Sequence, residues 1–373
     1  MQIKEFAVER WMDRYEHSCR YNLAETCVES LTVAQLLRLA GRAGSLEEAL
    51  SGLKLTYGAI PGSEALRRQI ASLYERQQPD DILVTHGAIG ANALAYQALV
   101  EPGDRVISVL PTYQQHHSIP ESLGAEVRTL RLEESNRFLP DLDDLRRVVG
   151  GRAKLLAFSN PNNPTGSLMD QATLEGIVAI AREAGAWILS DEVYRGIDQA
   201  GDGFTASIAD LYERGISTGS MSKVWSLAGL RLGWIAAPAE LLRGVTTHRD
   251  YNTISVGLLD DWFATMALEA RDAILARSRA IVRDNLAILD RWVGAEPAIR
   301  YVKPSGGMTA LLGYTGAEPS ESLCVRLVET TGVMFTPGSA LDIEGYVRIG
   351  YANHRTVLEE GLAQVSTFLR PSD

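Results

Sequence analysis

The chain is poor in cysteine and has no long apolar segment. Its three cysteines, Cys19, Cys27 and Cys324, are odd in number and show no CxxC pairing, which argues against a disulfide framework or a metal cluster. No stretch approaches roughly eighteen continuous apolar residues, and the N-terminus is charged rather than signal-like, so we expect no membrane span and no secretory signal. These absences predict a cytoplasmic protein.

An excess of positive charge is also missing. The formal net charge is −11, which argues against nucleic acid or an anionic membrane surface as a partner. At 373 residues and 46% apolar residues, the chain exceeds one ordinary domain and can bury large cores. We therefore expect its partners to be small molecules and a second copy of itself.

Lysine is the scarcest charged residue, with five against thirty-one arginines. One of the five, Lys223, lies among small and apolar residues in SMSKVWSLAGLRLGW (220–234), and Arg231 follows it eight residues later. A lysine whose pKa is lowered can form a Schiff base, whereas an arginine stays charged and suits a phosphate. This spacing indicates a site for an aldehyde cofactor that carries a phosphate.

Strand-like and helical patterns alternate between about residues 80 and 237. Apolar runs at 105–110, 126–130 and 155–158 predict strands, and the pattern at 174–184 predicts a helix. Such alternation is typical of an α/β fold, a mostly parallel sheet flanked by helices. After residue 241 the pattern is helical, with long helices over 264–292 that lead to a smaller α+β domain near residue 295.

Four motifs, taken together and in order, resemble those of a known family. They are THGAIG (85–90), SNPNNPTG (159–166), SDEVYRG (190–196) and the lysine segment, which follows the pattern SxSKxxxLxGxRxG. That pattern resembles the lysine motif of the class I/II aminotransferases, the fold type I enzymes that depend on pyridoxal 5′-phosphate (PLP). The resemblance implies the PLP fold type I large domain with a smaller α+β domain.

The resemblance also implies which residues bind the cofactor. Lys223 would form the Schiff base, and Asp191 would keep the pyridine nitrogen protonated, as a carboxylate at the end of a parallel strand can. Asn163 and Tyr194 would hydrogen-bond the phenolic oxygen, and Tyr113 would stack on the ring. The phosphate would be held by Gly87, Ala88, Ile89, Ser220, Ser222 and Arg231.

Two further matches lie nearer the ends of the chain. YGAIPG (57–62) resembles the segment whose tyrosine reaches the phosphate of the neighbouring subunit, so Tyr57 implies a homodimer with shared sites. YVRIG (346–350) alternates like a strand and resembles the element whose arginine clamps the substrate carboxylate, a role that suits the planar fork of Arg348. Asn163 would also contact the substrate.

Each of these residues has a plainer interpretation when taken alone. Asp191 could be a helix N-cap, Tyr57 a turn residue and Arg348 an exposed strand residue. The glycines near residue 87 could do no more than start a helix. Agreement of the motifs in order favours the functional interpretation.

The N-terminal segment departs from the common pattern of the family. Where many members have a small apolar residue and glycine over the substrate, this chain has YNLAETC (21–27). A carboxylate in such a lid, Glu25, would favour a cationic substrate; Glu9 and Glu16 are alternatives, and Glu25 could equally be solvated. The segment at 249–255 and the Arg348 strand also resemble relatives in which PLP serves elimination and ring closure.

We therefore predict an aminotransferase that transfers the amino group of an L-α-amino acid to a 2-oxo acid. The alternative is a PLP-dependent lyase or cyclase that acts by β- or γ-elimination or replacement on a hydroxylated arginine-like amino acid. We expect an N-terminal lid segment at 1–40 associated with the small domain, a large PLP-binding domain at 41–270 and a small domain at 271–373. No metal site is expected.

Overall fold

The computed structural model describes residues 2–44, 46–201 and 203–370, and helices and strands alternate along most of this part of the chain. The α-helices are α1 (Ala7–Tyr15), α2 (Val33–Leu39), α3 (Leu46–Ser51), α4 (Glu64–Ala71), α5 (Gly87–Leu99), α6 (Gln115–Ser122), α7 (Leu142–Val149), α8 (Gln171–Ala184), α9 (Ile208–Leu211), α10 (Ala239–Asp250), α11 (Leu258–Glu269), α12 (Arg271–Ala295), α13 (Ser320–Thr331) and α14 (Arg355–Leu369). Short 3₁₀ helices span Pro79–Asp81, Glu134–Asn136, Ala228–Leu230 and Gly338–Leu341.

The strands are β1 (Tyr21–Asn22), β2 (Ile82–Thr85), β3 (Arg105–Leu110), β4 (Glu126–Arg131), β5 (Leu155–Ser159), β6 (Trp187–Asp191), β7 (Gly215–Ser220), β8 (Gly233–Ala236), β9 (Ile299–Tyr301), β10 (Thr309–Tyr314), β11 (Val333–Met334), β12 (Thr336–Pro337) and β13 (Tyr346–Gly350). Seven of them form one central sheet in the order β2-β8-β7-β6-β5-β3-β4. The pairs from β7 to β4 are parallel, and β8 is antiparallel to both of its neighbours.

Helices cover both faces of the central sheet. Ile107 and Phe158 pack on one face with residues of α7 and α8, while the neighbouring strand residues Val106 and Ala157 pack on the other face with residues of α5 and α10. Adjacent residues of a strand point to opposite faces, so strands buried on both sides must be apolar throughout. The predicted α/β class, with a mostly parallel sheet between helices, is confirmed.

The connections into and out of the helices follow from local sequence. The Asp170 side chain accepts a hydrogen bond from the backbone N–H of Thr173 and so caps the start of α8. The helix ends at Gly185, whose φ of +68° suits a residue without a Cβ. These two signals fix where α8 begins and ends between β5 and β6. Because β5 and β6 pair in parallel, their carboxyl ends lie at the same edge of the sheet.

The C-terminal part of the chain forms a smaller antiparallel sheet in the order β12-β13-β10-β9. The N-terminal segment joins this part, because β1 pairs in parallel with β11 and the indole Nε1 of Trp11 donates to the carbonyl of Phe335 at 2.8 Å. In chain order α12 lies between the strands of the two sheets, and at 25 residues it is roughly 37 Å long. The domain boundaries at residues 40 and 270 stay a prediction.

Among the helices of the described residues, none has both the length and the apolar character that a membrane span requires.

Candidate active site

A cavity of about 320 Å³ lies at the carboxyl ends of three neighbouring strands of the central sheet. Ser159 ends β5, Asp191 ends β6 and Ser220 ends β7, and all three line the cavity. Ligands of open α/β sheets bind at this edge, because the strand ends and the following loops converge there. Further walls come from the N-terminal segment, the start of α5 and Arg348 of β13.

Lys223 lies on the wall of this cavity, three residues after the end of β7. Its Nζ donates to the hydroxyl of Thr26 at 2.8 Å and lies 3.6 Å from Sγ of Cys27. Both partners belong to the N-terminal segment. The reactive amine is therefore held by residues almost two hundred positions earlier in the chain.

Opposing effects act on the Lys223 ammonium. Burial lowers its pKa, but the neighbouring Cys27, Tyr194 and Glu25 raise it, and the net pKa is raised. Burial also raises the pKa of the Cys27 thiol to about 11, so this thiol is neutral at pH 7. Glu25 is then the neighbour whose negative charge favours the protonated amine at that pH.

The start of α5 forms a cradle for an anion. Gly87, Ala88 and Ile89 are its first residues, and the first N–H groups of a helix have no partner within the helix. A Cβ on Gly87, whose φ is +66°, would lie 3.2 Å from Nη2 of Arg231, so the guanidinium approaches this backbone closely. A Cβ on Gly233 would lie 2.3 Å from the carbonyl carbon of Gly87. Glycine is required at both positions.

Two serines complete this side of the cavity. Ser220 is 3% exposed, and its hydroxyl accepts a hydrogen bond from the N–H of Ser222 at 3.3 Å. Ser222 is also buried and lines the cavity. The predicted phosphate-binding residues are thus brought together on the described chain.

Asp191 is buried at the floor of the cavity. Its Oδ2 accepts from Nδ2 of Asn92 at 3.0 Å, and its Oδ1 accepts from the N–H of Val193 at 3.2 Å. Burial raises the pKa of this carboxyl, and the two hydrogen bonds oppose the rise. The ring of His116 lies 3.8 Å away, but burial lowers its pKa to about 3, so it is neutral. Asp191 therefore has no cationic side chain in direct contact among the described residues.

Arg348 and Asn163 meet in the cavity wall. Nη1 of Arg348 donates to Oδ1 of Asn163 at 3.2 Å, and Nη2 donates to the carbonyl of Ala24 and the hydroxyl of Thr336. Its Nε has no partner among the described residues, although Arg348 is only 3% exposed. Burial lowers the pKa of the guanidinium. A buried arginine with a free donor is suited to a carboxylate ligand.

Two tyrosines line the same cavity. Tyr194 is 2% exposed, and burial raises the pKa of its hydroxyl, so it remains a hydrogen-bond donor at neutral pH. The Tyr113 hydroxyl donates to Oε1 of Glu9 at 2.8 Å, and its ring lies 4.7 Å from that of Phe6. Glu9 and Phe6 thus attach the start of α1 to the cavity.

The structure separates the remaining candidates. Glu25 lines the cavity and is half-buried, and its Oε1 accepts from the N–H of Thr26 at 3.0 Å. Tyr57 does not line the cavity and is 79% exposed. Arg249 is buried elsewhere and donates to the carbonyl of Val84. Within a single chain, Tyr57 is therefore apart from the other candidates.

Sequence reasoning missed several residues that hold the site together. Asn92 links Asp191 to Thr218, whose hydroxyl donates to Oδ1 of Asn92 at 2.8 Å. Thr26 and Cys27 contact Lys223. The one available signal was the position of Asn92, four residues after Ala88, which places both on one face of α5.

These residues fit PLP. The buried Asp191 carboxylate forms no ion pair with a lysine or arginine among the described residues, so a protonated pyridine nitrogen can pair with it directly. The start of α5 and Arg231 offer donors to a phosphate, and Lys223 offers an amine to an aldehyde. The donor set therefore matches each polar group of the cofactor.

Comparison with known proteins agrees with this geometry. Residues 38–364 match the family model "Aminotransferase class I and II". The crystal structure of a PLP-dependent aminotransferase from Streptococcus suis 89-1591 superimposes with a TM-score of 0.95 and 42% identity, covering 99% of this chain and 98% of that one.

A synthase and a cyclase are also similar to this chain. Capreomycidine synthase of Streptomyces vinaceus is 31% identical over 360 residues, or 96% of this chain and 92% of that protein. The PLP-dependent cyclase OrfR superimposes with a TM-score of 0.91 and 27% identity, covering 99% and 98% of the two chains. The chain belongs to the class I and II aminotransferase family and is a PLP-dependent enzyme.

We predict that Lys223 is the residue that carries the cofactor. Borohydride reduction of the holoprotein should leave PLP covalently attached to the peptide that contains Lys223, as mass spectrometry can show. Lys223→Ala should bind PLP without covalent attachment and keep the circular dichroism of the wild type. Attachment at Lys154 or Lys303 would contradict the assignment.

Proposed function

We propose that the enzyme is an aminotransferase that moves the amino group of an L-α-amino acid to a 2-oxo acid. The observation that carries the proposal is the placing of Lys223, Asp191 and Arg348 around one cavity. They offer a proton-transfer group, an acid for the cofactor ring and a cation for the substrate carboxylate. Transamination of an amino acid requires all three.

When bound, PLP supplies an aldehyde that condenses with amines and a ring that accepts the electrons of a bond at the substrate Cα. Arg348 binds the substrate carboxylate and orients the Cα–H bond toward Lys223. Lys223 Nζ takes the Cα proton as a general base and returns it as a general acid. Thr26, which accepts a hydrogen bond from Nζ, holds the amine on the cavity wall while it is not bonded to the cofactor.

The other buried groups set charge and position. Asp191, held by Asn92, keeps a negative charge beside the ring nitrogen. Asn163 and Tyr194 would donate to the phenolic oxygen of the cofactor, and Tyr113 would lie against its ring. The start of α5, Ser220, Ser222 and Arg231 bind the phosphate.

A lyase or cyclase is the second candidate. The similarity to capreomycidine synthase and to the cyclase OrfR favours it, and Glu25 in the cavity wall offers a carboxylate to an arginine-like substrate. In that reaction a leaving group at Cβ or Cγ departs after the Cα proton is removed. Lys223 and Asp191 serve both reactions, so the two candidates differ in their products.

We further propose that the enzyme is a cytoplasmic homodimer in which Tyr57 reaches the phosphate site of the second copy. Tyr57 and Leu55 are 79% and 82% exposed, and Ile60 is 49% exposed. Large apolar side chains grouped on a surface are typical of protein interfaces. Dimerisation would bury this segment.

A single turnover without an acceptor distinguishes the two candidate reactions. For a transaminase we expect one equivalent of 2-oxo acid and full conversion of the cofactor to its amine form. Absorption spectroscopy measures this conversion. Recovery of the aldehyde form together with an eliminated or cyclised product would refute transamination and support the second candidate.

Asp191→Asn should slow removal of the Cα proton far more than it weakens PLP binding. Loss of the negative charge removes stabilisation that grows as the ring accepts electrons, and we expect a rate reduction of about 10²–10³-fold. Stopped-flow spectroscopy with Cα-deuterated substrate measures the step, and equilibrium dialysis measures PLP retention. A variant with wild-type turnover would rule out this role.

Shared sites predict complementation between two defective variants. Tyr57→Ala and Lys223→Ala subunits should regain activity when mixed, because one site of each hybrid dimer has both Tyr57 and Lys223. The control is a mixture of Tyr57→Ala with the double variant Tyr57→Ala/Lys223→Ala. It should regain no activity, because no subunit in it has Tyr57. A monomer in sedimentation, or equal activity of both mixtures, would count against the shared site.

A further inference from the structure

One face of α1 forms a wall of the cavity. Val8, Glu9, Met12 and Glu16 all line it, and their spacing places them on one side of the helix. From Val8 to Glu16 this face extends roughly 12 Å at 1.5 Å per residue. The wall therefore combines two apolar side chains with a carboxylate near either end.

The glutamates of the cavity differ in their contacts. Glu9 accepts from the Tyr113 hydroxyl, and Glu25 accepts from the N–H of Thr26 and lies near Lys223. The half-buried Glu16 carboxylate has no hydrogen bond or ion pair with any described residue. Glu16 also follows the last residue of α1, where the helix dipole adds negative potential.

A second observation indicates that the ligand of the cavity carries a carboxylate. Arg348 is almost fully buried in the cavity wall, and its Nε has no partner among the described residues. A substrate carboxylate bound there leaves the side chain free to extend along Val8 and Met12. Those residues provide apolar contact for methylene groups.

The charges of the cavity also favour a cation. By the proposed function, the phosphate is matched to Arg231, the substrate carboxylate to Arg348 and the ring nitrogen to Asp191. Glu9, Glu16 and Glu25 then remain as further carboxylates in the cavity wall. A neutral or anionic side chain would leave them without compensating charge.

We infer that the enzyme takes amino acids whose long side chain ends in a guanidinium or ammonium group, and that Glu16 holds that group. This inference rests on the proposed function for the position of the substrate carboxylate. It adds Glu16, at the end of α1, to Glu25 as a determinant of specificity. Glu16 is the better placed for a distal cation, because Glu25 is hydrogen-bonded to Thr26, which itself contacts the reacting amine.

Binding to the Lys223→Ala holoprotein tests the inference without turnover. Calorimetry should show that L-arginine binds more tightly than L-citrulline, its neutral analogue of equal length, by about tenfold or more. Adding Glu16→Gln should bring the two affinities close together and leave citrulline binding unchanged. Asp13→Asn is the matched control, because Asp13 is exposed on the same helix, does not line the cavity and should leave the preference intact.

Equal binding of arginine and citrulline, or equal loss of preference in the Glu16 and Asp13 variants, would overturn the inference. A preference abolished by Glu25→Gln and untouched by Glu16→Gln would also overturn it. Single turnover by the wild type separates the two proposals. If neutral amino acids are transaminated as readily as arginine, the proposed aminotransferase activity holds and the Glu16 inference fails. If arginine binds selectively but is not transaminated, the Glu16 inference holds and the proposed activity fails.

Discussion

The Asp191 carboxylate, buried at the end of β6 without a cationic side chain in contact, is the constraint on which the site depends. Burying a carboxylate is unfavourable unless it is hydrogen-bonded, and here hydrogen bonds from Asn92 and Val193 hold it. Asn92 is in turn fixed by Thr218, which joins α5 to β7. The same helix begins at the phosphate cradle. One helix, α5, therefore helps to position both the Asp191 carboxylate and the phosphate cradle.

Much of the large domain could be predicted because its signals are local. The strands at 105–110 and 346–350 have the predicted bounds, since apolar runs and turn residues mark them directly. The residues around Lys223, Asp191 and Asn163 were predicted from motifs, and the structure places them on one cavity. Chemistry that depends on strand ends is readable from sequence, because a parallel sheet brings those ends together.

Contacts between distant segments could not be predicted in this way. Thr26 meets Lys223, and Trp11 meets Phe335, only after the whole chain has folded. Asn92 lies within an Ala-rich helix and has no motif of its own. Glu9, Glu16 and Glu25 are ordinary polar residues in the sequence, and the direction of each side chain depends on how α1 and β1 dock. Tertiary packing, which one sequence does not display, decides these cases.

The pairing of β1 with β11 has a consequence for the order of events during synthesis. Tyr21 lies beside Val333, so more than three hundred residues separate the two strands. The β1 end of the N-terminal segment can be fixed by this pairing only after Val333 and Met334 have been synthesised. Thr26 and Cys27, which contact Lys223, follow β1 directly and lack this anchor until β11 is made. Enclosure of the reactive amine thus depends on a part of the chain that is synthesised more than a hundred residues after the amine itself.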